Sequence, residues 1–584
     1  MHRFTVWAPN AAGVQVLVEG KLETMTPCAG GWYEAGVEHA GPGTRYGFVL
    51  DGSAPLPDPR SASQPLGVHG FSELVDHSAF EWADVHWQAP PLGSAIVYEM
   101  HVGTFTPEGT FDSAIGRLEY LHRLGITHVE LLPVVEFPGQ WGWGYDGVDL
   151  FAPHHTYGGP EGLKRFVDAA HRSGLAVLLD VVYNHLGPSG NYLARYGPYF
   201  THRHKTPWGE ATNLDGPHSG DVRKFLLDNA RMWLRDYHFD GLRLDAVHAL
   251  IDNSATHFLE ELAVEVQELG IHLGRHFVLI AESDLNDPRI VRPRELGGYG
   301  TDAQWSDDFH HALHTTLTGE SNGYYSDYGG IEQLAQAIKY AFVYNGRYSK
   351  CRKRRHGRSI GELSGHKFLG YIQTHDQIGN RARGERISHL VSTDAAKVAA
   401  GLVLTSPFIP MLFQGEEWAA STPFQYFTHH EDPELGTAVS EGRRNEFVDF
   451  GWTPSEIPDP QERATFEASK LRWEDLQEEP HAQMLEWHRN LIALRRQHRE
   501  LTDGDLDAVR VEYSRKDEWL IVVRGSITIA ANFSRRAQCL PVQDPRRILI
   551  ASAPELEYNQ CGIRMGPQTF AAIRTGTGNN DRAS

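Results

Sequence analysis

The sequence predicts an α/β protein: a (β/α)8 TIM-type barrel with an N-terminal β-sandwich and a C-terminal β-sandwich domain. Three observations point there. Apolar strand-like runs alternate with amphipathic helices from about residue 91 to 499. Short β-type runs broken by Gly, Pro and Asp fill residues 1–90 and return from residue 500 to 584. Polar residues able to do chemistry end the apolar runs of the middle segment, where a barrel presents its site. Periodicity alone leaves a doubly wound open sheet as the alternative, and the clustering of that chemistry is what separates the two.

The N-terminal runs RFTVWAP, VQVLVEG and RYGFVLDG alternate too briefly for helices, and Trp7 among them reads as core. The turn-rich stretch PLPDPRSASQPLGVHG crosses into the next unit, with the boundary near Pro90. Eight strands follow: the runs ending at Met100, Pro133, Val182, Asp245 and Glu282, then AQWSDD, FLGYIQTHD and FIPMLFQG. Between them, Leu163, Phe166, Val167 and Ala170 share one helical face and Gly174 stops that helix. Ile115, Leu118 and Leu121 repeat the pattern, as do Met484, Trp487, Leu491 and Leu494 in the last helix. The runs VRVEYSR, WLIVVRG and SITIAANFS then start the closing β-domain.

A chain of 584 residues needs several cores, and 41% hydrophobic with 11% aromatic residues excludes global disorder. The formal net charge of −21 repels phosphate, which argues against nucleic acid and anionic membranes as partners. Cys28, Cys351, Cys539 and Cys561 have neither metal-ligand spacing nor the density of a disulfide framework. The N-terminus lacks a signal peptide's apolar core, and the Val398–Leu404 run is too short to span a membrane, so a soluble cytoplasmic chain is expected.

Four apolar runs end in reactive side chains. LLDVVYNH supplies Asp180, Asn184 and His185; DGLRLDAVH supplies Arg243, Asp245 and His248; FVLIAESD supplies Glu282 and Asp284; YIQTHDQIGN supplies His375, Asp376, Gln377 and Asn380. Singly, each has a structural reading: Asp245 as a helix cap, Glu282 as a buried ion-pair partner, the histidines as satisfied core groups. Together they supply what glycoside hydrolysis needs, one carboxylate to attack the anomeric carbon and one acid to protonate the leaving oxygen. Arg243, two positions before Asp245 on the same strand face, would keep Asp245 ionised, and a buried Glu282 would hold its proton until it donates.

In order and spacing these strings resemble the four sequence regions of the α-amylase family of retaining glycoside hydrolases, along the whole barrel segment. The resemblance implies Asp245 as nucleophile, Glu282 as general acid and base, and Asp376 as the carboxylate that stabilises the transition state. It also implies that Arg243 orients Asp245, that His185 and His375 hydrogen-bond the sugar before the cleaved bond, and that Tyr145 in GWGYDG stacks on it. His248, Gln377 and Asn380 join them as substrate-binding candidates. Many relatives bind calcium near the asparagine that matches Asn184, but the span from His185 to Asp240 is short and has no Asp-rich loop, so no metal or other cofactor is expected.

FTVWAPNA joined to such a barrel resembles branching enzymes, debranching enzymes and malto-oligosyltrehalose trehalohydrolases. The loops LLPVVEFPGQWGWGYDGVDLFAPHHTYGGPEGLKRFVDAAH, NHLGPSGNYLARYGPYFT, AQWSDDFHHALH, PFQYFTHH and SEGRRNEF are most similar to the last group. That resemblance implies a malto-oligosyltrehalose substrate, trehalose and a maltooligosaccharide as products, and a malto-oligosyltrehalose synthase as functional partner. Asp307, Asp308, Phe309, His310 and His311, with Phe424, Tyr426 and Phe427 opposite, are the loop candidates for the trehalose unit, since aromatics stack on sugar faces and carboxylates accept from hydroxyls. Their structural reading is a helix N-terminus for the first group and core packing for the aromatics. A branching enzyme and a general maltooligosaccharide hydrolase are the alternatives.

Overall fold

The computed structural model describes residues 1–448, 453–554, 556–560 and 562–576. Cys561 and the last eight positions of the polar tail GTGNNDRAS lie outside them. Eight parallel strands close into a barrel: β1 Val97–Met100, β2 His128–Leu131, β3 Ala176–Val181, β4 Gly241–Leu244, β5 Val278–Ala281, β6 Ala303–Trp305, β7 Phe368–Gly370 and β8 Ile409–Phe413. Spatial order follows sequence order, and β8 pairs with β1 through Met411 and Val97, so the sheet has no edge and the open-sheet alternative is excluded.

These strands are wholly buried, as expected where helices cover the outside and side chains fill the inside. The inside is not all apolar. Register sets Glu99 beside Glu130 and Asp180 beside Arg243, placing a group of ionisable side chains just beneath the strand ends. The helix Gly159–Arg172 buries Leu163, Phe166, Val167 and Ala170 and begins with proline in its first turn, where the missing N–H costs nothing. Helix His481–Gln497 buries Met484, Trp487, Leu491 and Leu494. The Ile115 to Leu121 pattern is split, with helices Phe111–Ile115 and Leu118–Leu124 meeting at Gly116 and Arg117.

The run FLGYIQTHD is strand only to Gly370. Thr374 accepts a hydrogen bond from the Asp376 N–H (3.2 Å), and Gln377 Oε1 accepts from the Thr374 N–H (2.9 Å). This reciprocal cap starts the short helix His375–Gly379, so Asp376 is presented by a helix's first turn.

Two antiparallel sheets, one of three strands and one of four, lie between His2 and Glu73. Trp7 is buried there as read from sequence, its ring edge-on to Tyr199 of the barrel at 5.2 Å. The closing region has a five-stranded and a three-stranded sheet between Val509 and Thr575. Cys539 is disulfide-bonded, a crosslink that no cysteine spacing announced. No helix among the described residues is long and apolar enough to cross a membrane.

Candidate active site

A cavity of about 650 Å³ opens over the strand ends and is lined by Asp245, Glu282 and Asp376 together with Arg243. Asp245 follows β4 directly. Its Oδ1 accepts from Arg243 Nη1 (2.7 Å) and its Oδ2 from Asn184 Nδ2 (2.8 Å). Burial alone would push this carboxyl up, but the guanidinium and the amide outweigh it and hold the carboxyl below its ordinary value. The same Nη1 reaches both oxygens of Asp180 (2.9 and 2.8 Å), and Tyr145 Oη donates to Asp180 at 2.5 Å. The Trp305 ring lies 4.3 Å from the guanidinium carbon, fixing it further.

Glu282 follows β5 and is placed oppositely. Burial pushes its carboxyl well up, Asp245, Asp307 and Asp376 add to that rise, and Arg243 opposes it from 3.9 Å. Its Oε2 accepts from the Ala246 N–H at 2.6 Å. Ala246 holds φ at 39°, a left-handed conformation costing about 1–2 kcal/mol in a residue with a Cβ. That strain turns the chain sharply after Asp245 and aims an N–H at Glu282.

Asp376 Oδ1 accepts from Asn380 Nδ2 (2.7 Å). His375, its neighbour, stacks on Tyr145 with centroids 5.1 Å apart. Gly144, at φ +100°, brings Tyr145 in; a Cβ there would meet the Pro133 carbonyl oxygen at 2.2 Å. His185, His248, Gln377, Asn380 and Tyr426 also border the cavity.

The loop candidates divide. Asp307 begins helix Asp307–Thr318, and with His311 one turn later it faces the cavity. Asp307 accepts from Tyr371 Oη (2.6 Å), and burial pushes its carboxyl up to about 7. Asp308, Phe309 and His310 lie on the helix's other faces, outside the cavity lining. Asp308 Oδ2 accepts from the Val343 and Tyr344 N–H groups and from Asn286, holding a neighbouring loop. Phe309 packs on Phe408, and His310 bonds the Ile372 carbonyl oxygen at 2.7 Å. Phe424 is likewise behind the wall, packed on Trp143 and Phe413, whereas the other two aromatic candidates, Tyr426 and Phe427, border the cavity. These four are corrections, and the cause is common: in a helix or an aromatic cluster only some consecutive side chains can face one cavity.

Sequence reasoning missed Trp143, Trp208, Trp305, Tyr324, Cys351 and Arg352, all on the lining. Trp208 sits between the paired strands Phe200–Thr206 and Gly209–Thr212 and stacks on His185 at 4.8 Å. Nothing local marks it. Trp143, in the same GWGYDG as Tyr145, carried a readable signal: an aromatic two residues away in the same loop.

Asn184 spends its amide on Asp245 Oδ2 and on the Asp245 carbonyl oxygen (2.9 Å). Glu136, His154 and His155 form a buried to half-buried group whose ligand-type atoms lie within 4.8 Å of one another. The 2.7 Å between Glu136 Oε1 and His155 Nδ1 is a hydrogen bond, tighter than two donors sit around one tetrahedral cation at about 2.0–2.1 Å each.

Comparison with known proteins decides the family. Residues 77–206 match the model of the alpha amylase catalytic domain. A malto-oligosyltrehalose trehalohydrolase of Rhizobium sp. (strain M-11) is 48% identical over 98% of this chain and 97% of its own, and one of Arthrobacter ramosus is 52% identical over 85% and 87%. The chain belongs to the malto-oligosyltrehalose trehalohydrolase family. Within that family's barrel, Asp245, Glu282 and Asp376 share one cavity. A crystal structure from Salmonella typhimurium, of a protein assigned to the alpha amylases, superposes with a TM-score of 0.91 at 37% identity, covering 98% of this chain and 97% of that one.

Proposed function

We propose that this protein hydrolyses the α-1,4-glucosidic bond next to the terminal trehalose of malto-oligosyltrehalose, releasing trehalose and a shortened maltooligosaccharide. The observation that carries the chemistry is the single guanidinium of Arg243, 2.7 Å from Asp245 and 3.9 Å from Glu282. It leaves the nearer carboxylate ionised while the other, farther from the guanidinium and crowded by Asp245, Asp307 and Asp376, keeps its proton. Asp245 attacks the anomeric carbon as Glu282 protonates the departing oxygen; Glu282 then takes a proton from water as that water displaces Asp245. Asp376 accepts from sugar hydroxyls as charge develops, and Tyr145, His185 and His375 hold the ring. Asp307, His311 and Tyr426 border the space for the leaving trehalose.

The family relatives, by their names, support the substrate. In the same reading, residues 1–90, 91–499 and 500–584 are the N-terminal sandwich, the catalytic barrel and the C-terminal β-domain. A malto-oligosyltrehalose synthase supplies the substrate, and the reaction runs in the cytoplasm without nucleic acid or membrane partners.

Chromatography of products from malto-oligosyltrehalose and from a maltooligosaccharide of equal length tests the reading. Trehalose set free from the first, with the second cut far more slowly, is the expected result. Equal cleavage would make the protein a general maltooligosaccharide hydrolase, and α-1,6 branches formed on amylose would make it a branching enzyme.

A further inference from the structure

Glu99, next to last in β1, lies on the inner side of the barrel with 1% of its surface exposed. No part of the reaction above uses it. Its two oxygens both go to one residue: Oε2 accepts from the main-chain N–H of His375 (3.0 Å), and Oε1 meets His375 Nδ1 at 2.5 Å. The Glu99 carbonyl oxygen accepts from the Gln414 N–H (2.9 Å), tying β1 to the end of β8. His375 in turn is enclosed by Tyr145 on one face and by the edges of Trp143 (5.5 Å) and Trp305 (6.2 Å). With Nδ1 taken, Nε2 is the ring nitrogen left for the cavity, and the next residue is Asp376.

We propose that Glu99 is a positioning residue for the reaction, holding His375 with its Nε2–H toward a hydroxyl of the bound sugar and fixing the main chain that presents Asp376. The inference rests on the reading of His375 and Asp376 as sugar-binding groups. A carboxylate against Nδ1 sets the tautomer and favours the imidazolium, so that Nε2 donates. Burial lowers the His375 pKa, but Glu99, with help from Asp376, more than offsets it, and the ring titrates above its ordinary value. The other charged or titratable groups acting on this ring are Arg243 of β4, Asp180 of β3 and His101 after β1. Without Glu99's charge, burial and Arg243 would favour the neutral imidazole, with nothing to fix its proton on Nε2.

The test is a double-mutant cycle of Glu99→Gln and His375→Gln, with kcat/KM followed across pH on malto-oligosyltrehalose and on maltoheptaose. Glu99→Gln is expected to lower kcat/KM by about 10- to 100-fold, the worth of a lost hydrogen bond to a charged group. It should cost nearly nothing further once His375 is Gln. The deficit should shrink as pH falls, because acid restores the imidazolium, whereas a purely structural loss would be uniform with pH. Glu99→Asp, which keeps the charge, should keep the parent's pH profile, and Glu99→Ala, which removes both oxygens, carries the cycle if Glu99→Gln does not fold. Additive losses, or a deficit independent of pH, overturn the proposal. If the trehalose reading is wrong, the unmodified protein turns over both substrates alike, and the cycle is still readable on either.

Discussion

Arg243 and the pair Arg495 and Arg524 are buried alike, with 2%, 1% and 3% of their surfaces exposed, yet their partners differ in kind. Arg243 is held by the carboxylates of Asp180 and Asp245. Arg495 donates to the carbonyl oxygens of Leu404, Ser406 and Phe408, and Arg524 to those of Thr405, Ser406, Leu501 and Asp503. Those carbonyls cluster where helix Thr393–Thr405 ends and the C-terminal sheets begin, a place whose partial negative charge suits a cation. The carbonyls do not repay full desolvation: burial, then repulsion from Arg524, brings Arg495 down to about 9, and burial brings Arg524 down to about 10. The charge of Arg243 is matched by countercharges and rises above its ordinary value. One residue type thus sets carboxylate ionisation at the strand ends and fastens a joint at the rim.

Four substitutions sharpen that contrast. Asp245→Ala removes the attacking oxygen but leaves Arg243 paired with Asp180, so kcat/KM should fall by about 10,000-fold or more while the melting temperature moves little. Arg243→Met strands buried carboxylates and should cost about 3–5 kcal/mol in urea unfolding. It should also move the acidic limb of the rate profile. Asp245 works ionised and is held low by Arg243, so activity is lost as pH falls through that low value, and without the guanidinium the loss comes at higher pH. Arg495→Met should cost about 1–3 kcal/mol, from carbonyls left unsatisfied, with kcat/KM and its pH profile unchanged. A changed profile would mean that the joint and the site are coupled. The exposed i,i+4 pair of Arg123 and Glu119 sets the floor: Arg123→Ala should shift stability by no more than about 0.5 kcal/mol.

The barrel was legible because eight apolar runs alternate with helical faces and because the carboxylates end those runs. Asp245 and Glu282 directly follow their strands, a local property, whereas Asp376 is placed by the helix cap of Thr374 and Gln377 beyond the end of its strand. The wall of the cavity was read less well. Asp308, Phe309, His310 and Phe424 share a loop or helix with true lining residues, and which side chain turns inward depends on a helix's rotation against its neighbours, which nearby sequence does not state. Trp208 and Arg352 come from distant loops folded over the site, and only tertiary packing assembles them. Glu99 was invisible for a further reason: its partner His375 is 276 positions away.

Attack by Asp245 on the anomeric carbon, as proposed, makes the reaction a double displacement, which proton NMR of the anomeric region during the first minutes of malto-oligosyltrehalose cleavage tests directly. The α-anomer of the shortened maltooligosaccharide should appear first, with the β-anomer growing in only by mutarotation. A β-anomer formed first would mean direct attack by water, and Asp245 could not be the nucleophile.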